Sequence, residues 1–126
     1  MEHPEEALRV EIDDPQNYCL GKPMGIIRGW LAAGAVKKGL SETLEFRVGG
    51  SAMPHRLVNR GDVEALLADH VVIGFEIPYD LSLYLPNIQN QSVAIRMKLA
   101  GYDPMFLRFR IADNALASCL ASAGGV

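Results

Sequence analysis

Residues 93–111, VAIRMKLAGYDPMFLRFRI, decide how this chain is read. Val93, Ile95, Met97 and Leu99 alternate with Arg96 and Lys98. After Gly101, Asp103 and Pro104 the rhythm resumes, with Leu107, Phe109 and Ile111 set against Arg108 and Arg110. An apolar residue at every second position suits a strand with one buried and one wet face, because successive side chains leave the pleated backbone on opposite sides. Ala100 to Pro104 supplies the turn residues between the two runs, so the stretch predicts an antiparallel hairpin. Paired that way, Arg96, Lys98, Arg108 and Arg110 project from one sheet face.

The same rhythm recurs along the chain. Leu8, Val10 and Ile12 interleave with Arg9 and Glu11, and Leu44, Phe46 and Val48 with Glu45 and Arg47. Val71, Ile73, Phe75 and Ile77 stand against Val72, Gly74 and Glu76. Leu81, Leu83 and Leu85, fenced by Pro78 and Pro86, predict a short edge strand. Residues 24–33 hold another strand in which Ile27 and Leu31 compete with Ile26 and Trp30 for the inner face; the reading taken is Ile27, Gly29 and Leu31 inward. Gly49-Gly50-Ser51 reads as a hairpin turn and not as a phosphate cradle, since no Lys-Ser or Lys-Thr pair follows.

Helical spacing is confined to Asp62–Asp69, where Asp62 is expected to cap the first turn over Val63, Leu66 and Leu67, and to Asn114–Ser122, where Leu116 and Leu120 repeat. Short strands with turns between them and little helix predict an all-β fold, two antiparallel sheets packed face to face, in one domain spanning 1–126. Residues 1–5 and 122–126 are expected to be flexible.

A chain of 126 residues is long enough to form one core without metal or disulfide staples. Twelve Lys and Arg against fifteen Asp and Glu give a net charge of -3, which argues against a nucleic-acid partner. No apolar run is long enough to span a membrane, and the acidic, polar start does not resemble a secretory signal, so the expected location is cytoplasmic. Cys19 and Cys119 lack CxxC spacing and are expected to be free thiols; the sequence leaves open whether they approach each other.

The candidate chemistry is sparse. Arg96, Lys98, Arg108 and Arg110 would repel one another unless acids such as Glu11 or Glu45, or an anionic ligand, lay nearby, so they form the candidate ligand-binding face. Arg60-Gly61-Asp62 spells an adhesion tripeptide, yet its surroundings favour a helix start. His55, Asp62, Asp69 and His70 offer metal-ligand chemistry, but the adjacent Asp69-His70 pair is poorly placed to share one ion, and no metal site or cofactor is expected.

In order, Ile27-Arg28-Gly29-Trp30, Leu44 to Gly50, Arg60-Gly61-Asp62-Val63 and Gly74-Phe75-Glu76-Ile77 resemble the immunoglobulin-like β-sandwich accessory module found beside glycosyltransferase and methyltransferase domains of bacterial surface-polysaccharide proteins. The resemblance covers roughly residues 24–112, with Gly61 where the family pattern has Pro. It implies about 7–8 strands with one short helix near 62–69, and it makes Trp30, Arg60, Asp62, Val63, Gly74 and Phe75 fold markers. It also implies a non-catalytic, carbohydrate-associated module whose partner is a glycosyltransferase or a glycan. A homodimer through the Leu81–Leu85 edge is a further expectation. The alternative reading is a small enzyme acting on a sugar or nucleotide-sugar with His55, Asp62 and His70.

Overall fold

In a computed structural model that describes residues 8–34, 40–67 and 69–124, the alternating segments pair into two sheets. Among the described residues nine strands form: β1 (Arg9–Asp14), β2 (Cys19–Leu20), β3 (Met24–Ala33), β4 (Glu45–Val48), β5 (Ser51–Met53), β6 (Arg56–Val58), β7 (Val71–Asp80), β8 (Ser92–Lys98) and β9 (Met105–Ile111). One sheet has the order β1-β3-β7-β6 and the other β2-β9-β8-β4-β5. Every pairing is antiparallel except β2 with β9. The chain is mostly β, and two helices, α1 (Gly61–Leu66) and α2 (Asp113–Gly124), complete the regular structure of the described residues together with short 3-10 turns.

The inner faces of the two sheets share one apolar core. Ile27 and Leu31 of β3 and Ile73, Phe75 and Ile77 of β7 meet Phe46, Val93, Ile95, Met97, Leu107 and Phe109 across it. The rings of Phe46 and Phe75 lie 5.0 Å apart at the contact. Odd-numbered β3 residues therefore point inward, as the spacing favours. Trp30 points outward and is nevertheless only 8% exposed, because α1 lies over it: Val63, with Leu67 and Val72 beside it, roofs a second small cluster on the outside of the four-stranded sheet.

Several expectations change. Leu81–Leu85 is not an edge strand but part of a 3-10 segment, Leu81–Asn87. The Asp80 carboxylate accepts from the backbone N–H and the hydroxyl of Ser82, turning the chain into a helical sense, and spacing of three then buries Leu81 and Tyr84. β7 also continues through Pro78, opposite Ile26, in a stretch that has outrun β6 and so needs no N–H on that side. α1 stops at Leu66, before Asp69, and Leu66 faces solvent. The residue preceding its first turn is Arg60, while Asp62 sits inside that turn. α2 forms where expected but buries Ala115 and Cys119, leaving Leu120 out; small residues let it approach the 3-10 segment closely. Of the expected flexible ends, 1–5 and 125–126 lie outside the described residues, while 122–124 continue α2.

Candidate functional site

The outer face of the five-stranded sheet follows from register. β8 buries Val93, Ile95 and Met97, which turns Ser92, Ala94, Arg96 and Lys98 outward. β9 buries Leu107, Phe109 and Ile111, which turns Phe106, Arg108 and Arg110 outward. Arg110 stands between Cys19 and Ser92, and Arg108 beside Ala94. Phe106 faces Arg96, which in turn faces Arg47, while Lys98 faces Glu45. The expected basic residues thus share one face, and Arg47 joins them.

Few of these cations are neutralised. Arg47 donates to Glu45 at 3.1 Å and to the Gly50 carbonyl at 3.0 Å. Lys98 donates to the carbonyls of Leu99, at 3.2 Å, and Tyr102. Glu11, the other acid expected to balance the patch, lies on the opposite sheet against Trp30 and pairs with Arg9 at 3.5 Å. Among the described residues Arg96, Arg108 and Arg110 have no carboxylate within ion-pair distance. Directly opposed Arg47 and Arg96 are unfavourable neighbours unless an anion lies between or above them.

Phe106 is the residue that the sequence reading passed over. It is 64% exposed, beside Arg108 on its own strand and across from Arg96. A phenyl ring set among guanidiniums gives a flat apolar surface ringed by bidentate donors. Its parity with Arg108 and Arg110 carried the signal, and extending the β9 alternation one step back would have found it.

The fold-marker residues form a different constellation. Arg60 donates to both carboxylate oxygens of Asp62, each at 3.0 Å, and to Asp13 of β1. Its stem crosses Gly74, where a Cβ would lie 2.5 Å from the Arg60 Cγ, so a side chain at that position would push the arginine off the sheet. The guanidinium holds the Asp62 carboxyl below its ordinary range, chiefly through those hydrogen bonds. Arg60 and Asp62 of the Arg-Gly-Asp tripeptide are therefore bonded to each other, with the arginine stem packed against the sheet and the aspartate exposed. Phe75 lies in the shared core, and Trp30 and Val63 pack together outside it.

The three residues of the enzymatic alternative have separate environments. His55 sets its ring edge-on to Phe46 with centroids 5.1 Å apart, Asp62 is held by Arg60, and His70 lies exposed in the turn before β7. No hydrogen bond joins them among the described residues, and no grouping of three His, Cys, Asp or Glu there is placed to hold a metal. Cys119 is buried, which pushes its thiol pKa up, and Cys19 is half-buried; both are free thiols. No helix among the described residues is long and apolar enough to cross a membrane.

Comparison with known proteins brings no family model, no curated protein and no solved structure into a match with this chain.

Proposed function

We propose that this protein is a non-catalytic interaction module that holds an acidic glycan on the outer face of its five-stranded sheet, as an accessory to a surface-polysaccharide glycosyltransferase. One observation carries the reading: Arg96, Arg108 and Arg110 stand on a single face around exposed Phe106 without carboxylate partners among the described residues. Guanidiniums take sugar carboxylates or phosphates in bidentate fashion, and the phenyl ring gives the apolar face of a pyranose a surface to stack on.

The reading includes an immunoglobulin-like class of sandwich, supported by two antiparallel-rich sheets around one core and by the Trp30, Arg60, Asp62 and Gly74 corner. It also includes a cytoplasmic setting, supported by two free thiols.

The test is a screen against glycans and nucleotide-sugars, repeated with Arg96→Glu and Arg108→Glu. Binding to acidic glycans is expected in the parent chain, weakening with salt, and is expected to vanish in the doubly changed protein. Acidic-glycan binding that survives both changes places the site elsewhere.

A further inference from the structure

We infer that the chain forms a two-fold dimer in which the first residues of β3 pair with the same residues of a second copy. β1 leaves β3 early: its last pairing is Asp14 with Arg28, whereas β3 begins at Met24. From Met24 to Ile27, β3 keeps β7 as its neighbour, and no described strand pairs with it on the other side. Where β1 would have continued there is an open groove of about 320 Å³, lined by Asp14, Pro15, Lys22, Ile26 and Tyr79 among others.

The pairing pattern says what that edge presents. The Leu81 N–H donates to the Pro23 carbonyl at 2.9 Å, one step beyond the Met24–Asp80 pair in the same register. Bonded and non-bonded pairs alternate along an antiparallel ladder, so odd-numbered β3 residues turn their N–H and C=O toward β7. Met24 and Ile26 turn theirs into the groove. Their side chains lie on the outer face, 61% and 40% exposed, with exposed Pro78 opposite Ile26.

Other edges among the described strands are defended. β7 also outruns its neighbour β6, but there the same parity aims Pro78 outward, and proline offers no N–H. β1 carries Arg9, Glu11, Asp13 and Asp14 along its free edge, and β2, β5 and β6 are only two or three residues long. β9 is likewise unpaired by any described strand on its outer side from Met105 to Phe109, since β2 reaches only Arg110 and Ile111, but there exposed Phe106 is followed on the same face by Arg108, a charge that guards the edge. The lip of β3 instead combines unpaired backbone with two exposed apolar side chains and only Gly25 between them, in place of the Leu81–Leu85 edge that the sequence suggested.

A second copy fits this lip because the lip is self-complementary. About a two-fold axis through Gly25, Met24 of each copy faces Ile26 of the other, and each facing pair exchanges both of its backbone hydrogen bonds. Gly25 lies under Tyr79: a Cβ there would come 2.9 Å from the phenolic oxygen, which itself donates to the Lys22 carbonyl at 3.1 Å. Tyr79 thus closes the inner side and leaves the edge and the outer side to the partner. Met24, Ile26 and Pro78 of both copies then form one apolar cluster.

Sedimentation equilibrium of the full chain is expected to show a concentration-dependent dimer. Ile26→Pro removes an N–H that the β7 ladder does not use, and Ile26→Lys puts like charges on both sides of the axis. Each should weaken association at least about tenfold while circular dichroism and the melting temperature are kept, the lysine variant serving if proline disturbs the fold. In a Cys19→Ser background, a mixture of Met24→Cys and Ile26→Cys chains should cross-link on oxidation more than either alone, because facing residues lie about 5.5 Å apart. A monomer at every concentration, a folded lysine variant that dimerises undiminished, or equal cross-linking of the single variants overturns the proposal.

Discussion

The outer faces of the two sheets are built from similar residues and reach opposite ends. On the four-stranded sheet the described arginines are matched: Arg9 with Glu11, Arg28 with Asp14 and Glu76, Arg56 with Glu76, and Arg60 with Asp13 and Asp62. Its aromatic, Trp30, is roofed by Val63 and has the Arg9 guanidinium 5.3 Å from its ring. On the five-stranded sheet Arg47 alone of the arginines has a carboxylate partner among the described residues, and the aromatic Phe106 is bare. A face whose charges and ring are satisfied internally serves the fold. A face that leaves both unmet is where a ligand gains most by binding, because it removes like-charge repulsion and apolar exposure together.

The contrast is sharpest at the two aromatics. Trp30→Ala removes a buried ring from beneath α1 and should lower unfolding stability by about 3–5 kcal/mol. Phe106→Ala removes an exposed ring and should change stability by no more than about 0.5 kcal/mol while abolishing glycan binding. Urea titration of both variants, paired with the glycan screen, reads the two outcomes. Equal destabilisation would mean that Phe106 belongs to the core and would break the comparison.

Next in size is Arg60. Its guanidinium holds two carboxylates and its stem covers Gly74, so Arg60→Gln should cost about 1–2 kcal/mol by urea unfolding at neutral pH, with α1 loosened over Trp30. Arg110→Gln, on the open face, should leave stability close to that of the parent chain.

Acid separates the faces without a large substitution. Asp62 is held below its ordinary carboxylate range by Arg60, and Glu76 by Arg56 and then Arg28. Both therefore bind protons more weakly folded than unfolded. Their stabilising contribution is complete above the ordinary carboxylate values of 3.8 and 4.5 and drains away as pH falls through the lower folded values. Stability measured by urea between neutral and strongly acid pH should fall across that window, and Arg60→Gln should flatten the fall. Arg108→Gln should leave its shape unchanged; a changed slope there would reveal a carboxylate partner on the open face.

What could be read from the residues follows the length of each pattern. The β8–β9 hairpin spans enough alternation that strand, turn and facing all come from spacing, and the basic face comes with them. β2, β5 and β6 are two or three residues long, too short for period two to register. The 3-10 segment after β7 misleads because Leu81, Leu83 and Leu85 alternate as a strand would, while the Asp80 cap on Ser82 sets a helical turn. The outward burial of Trp30 depends on α1, a contact between distant parts of the chain that no local window contains. Asp13 as the third member of the Arg60 constellation is hidden for the same reason, since the two residues are 47 positions apart.

The smallest expected effect is also the one with the least intuitive sign. Arg96 faces Arg47 directly across β8 and β4, and like charges so placed disfavour the pairing. Arg96→Glu converts that repulsion into attraction, so the variant should be more stable than the parent by a few tenths of a kcal/mol, at most about 1 kcal/mol. The gain should shrink in high salt, since the pair is on a wetted face. On the four-stranded sheet the same kind of change runs the other way: Arg28→Glu would set a carboxylate against Glu76 and Asp14 and must destabilise. Thermal unfolding of both variants at low and high salt decides the matter. A destabilised Arg96→Glu protein would mean that Arg96 already has a partner within the fold, and the open face would then be as self-sufficient as the closed one.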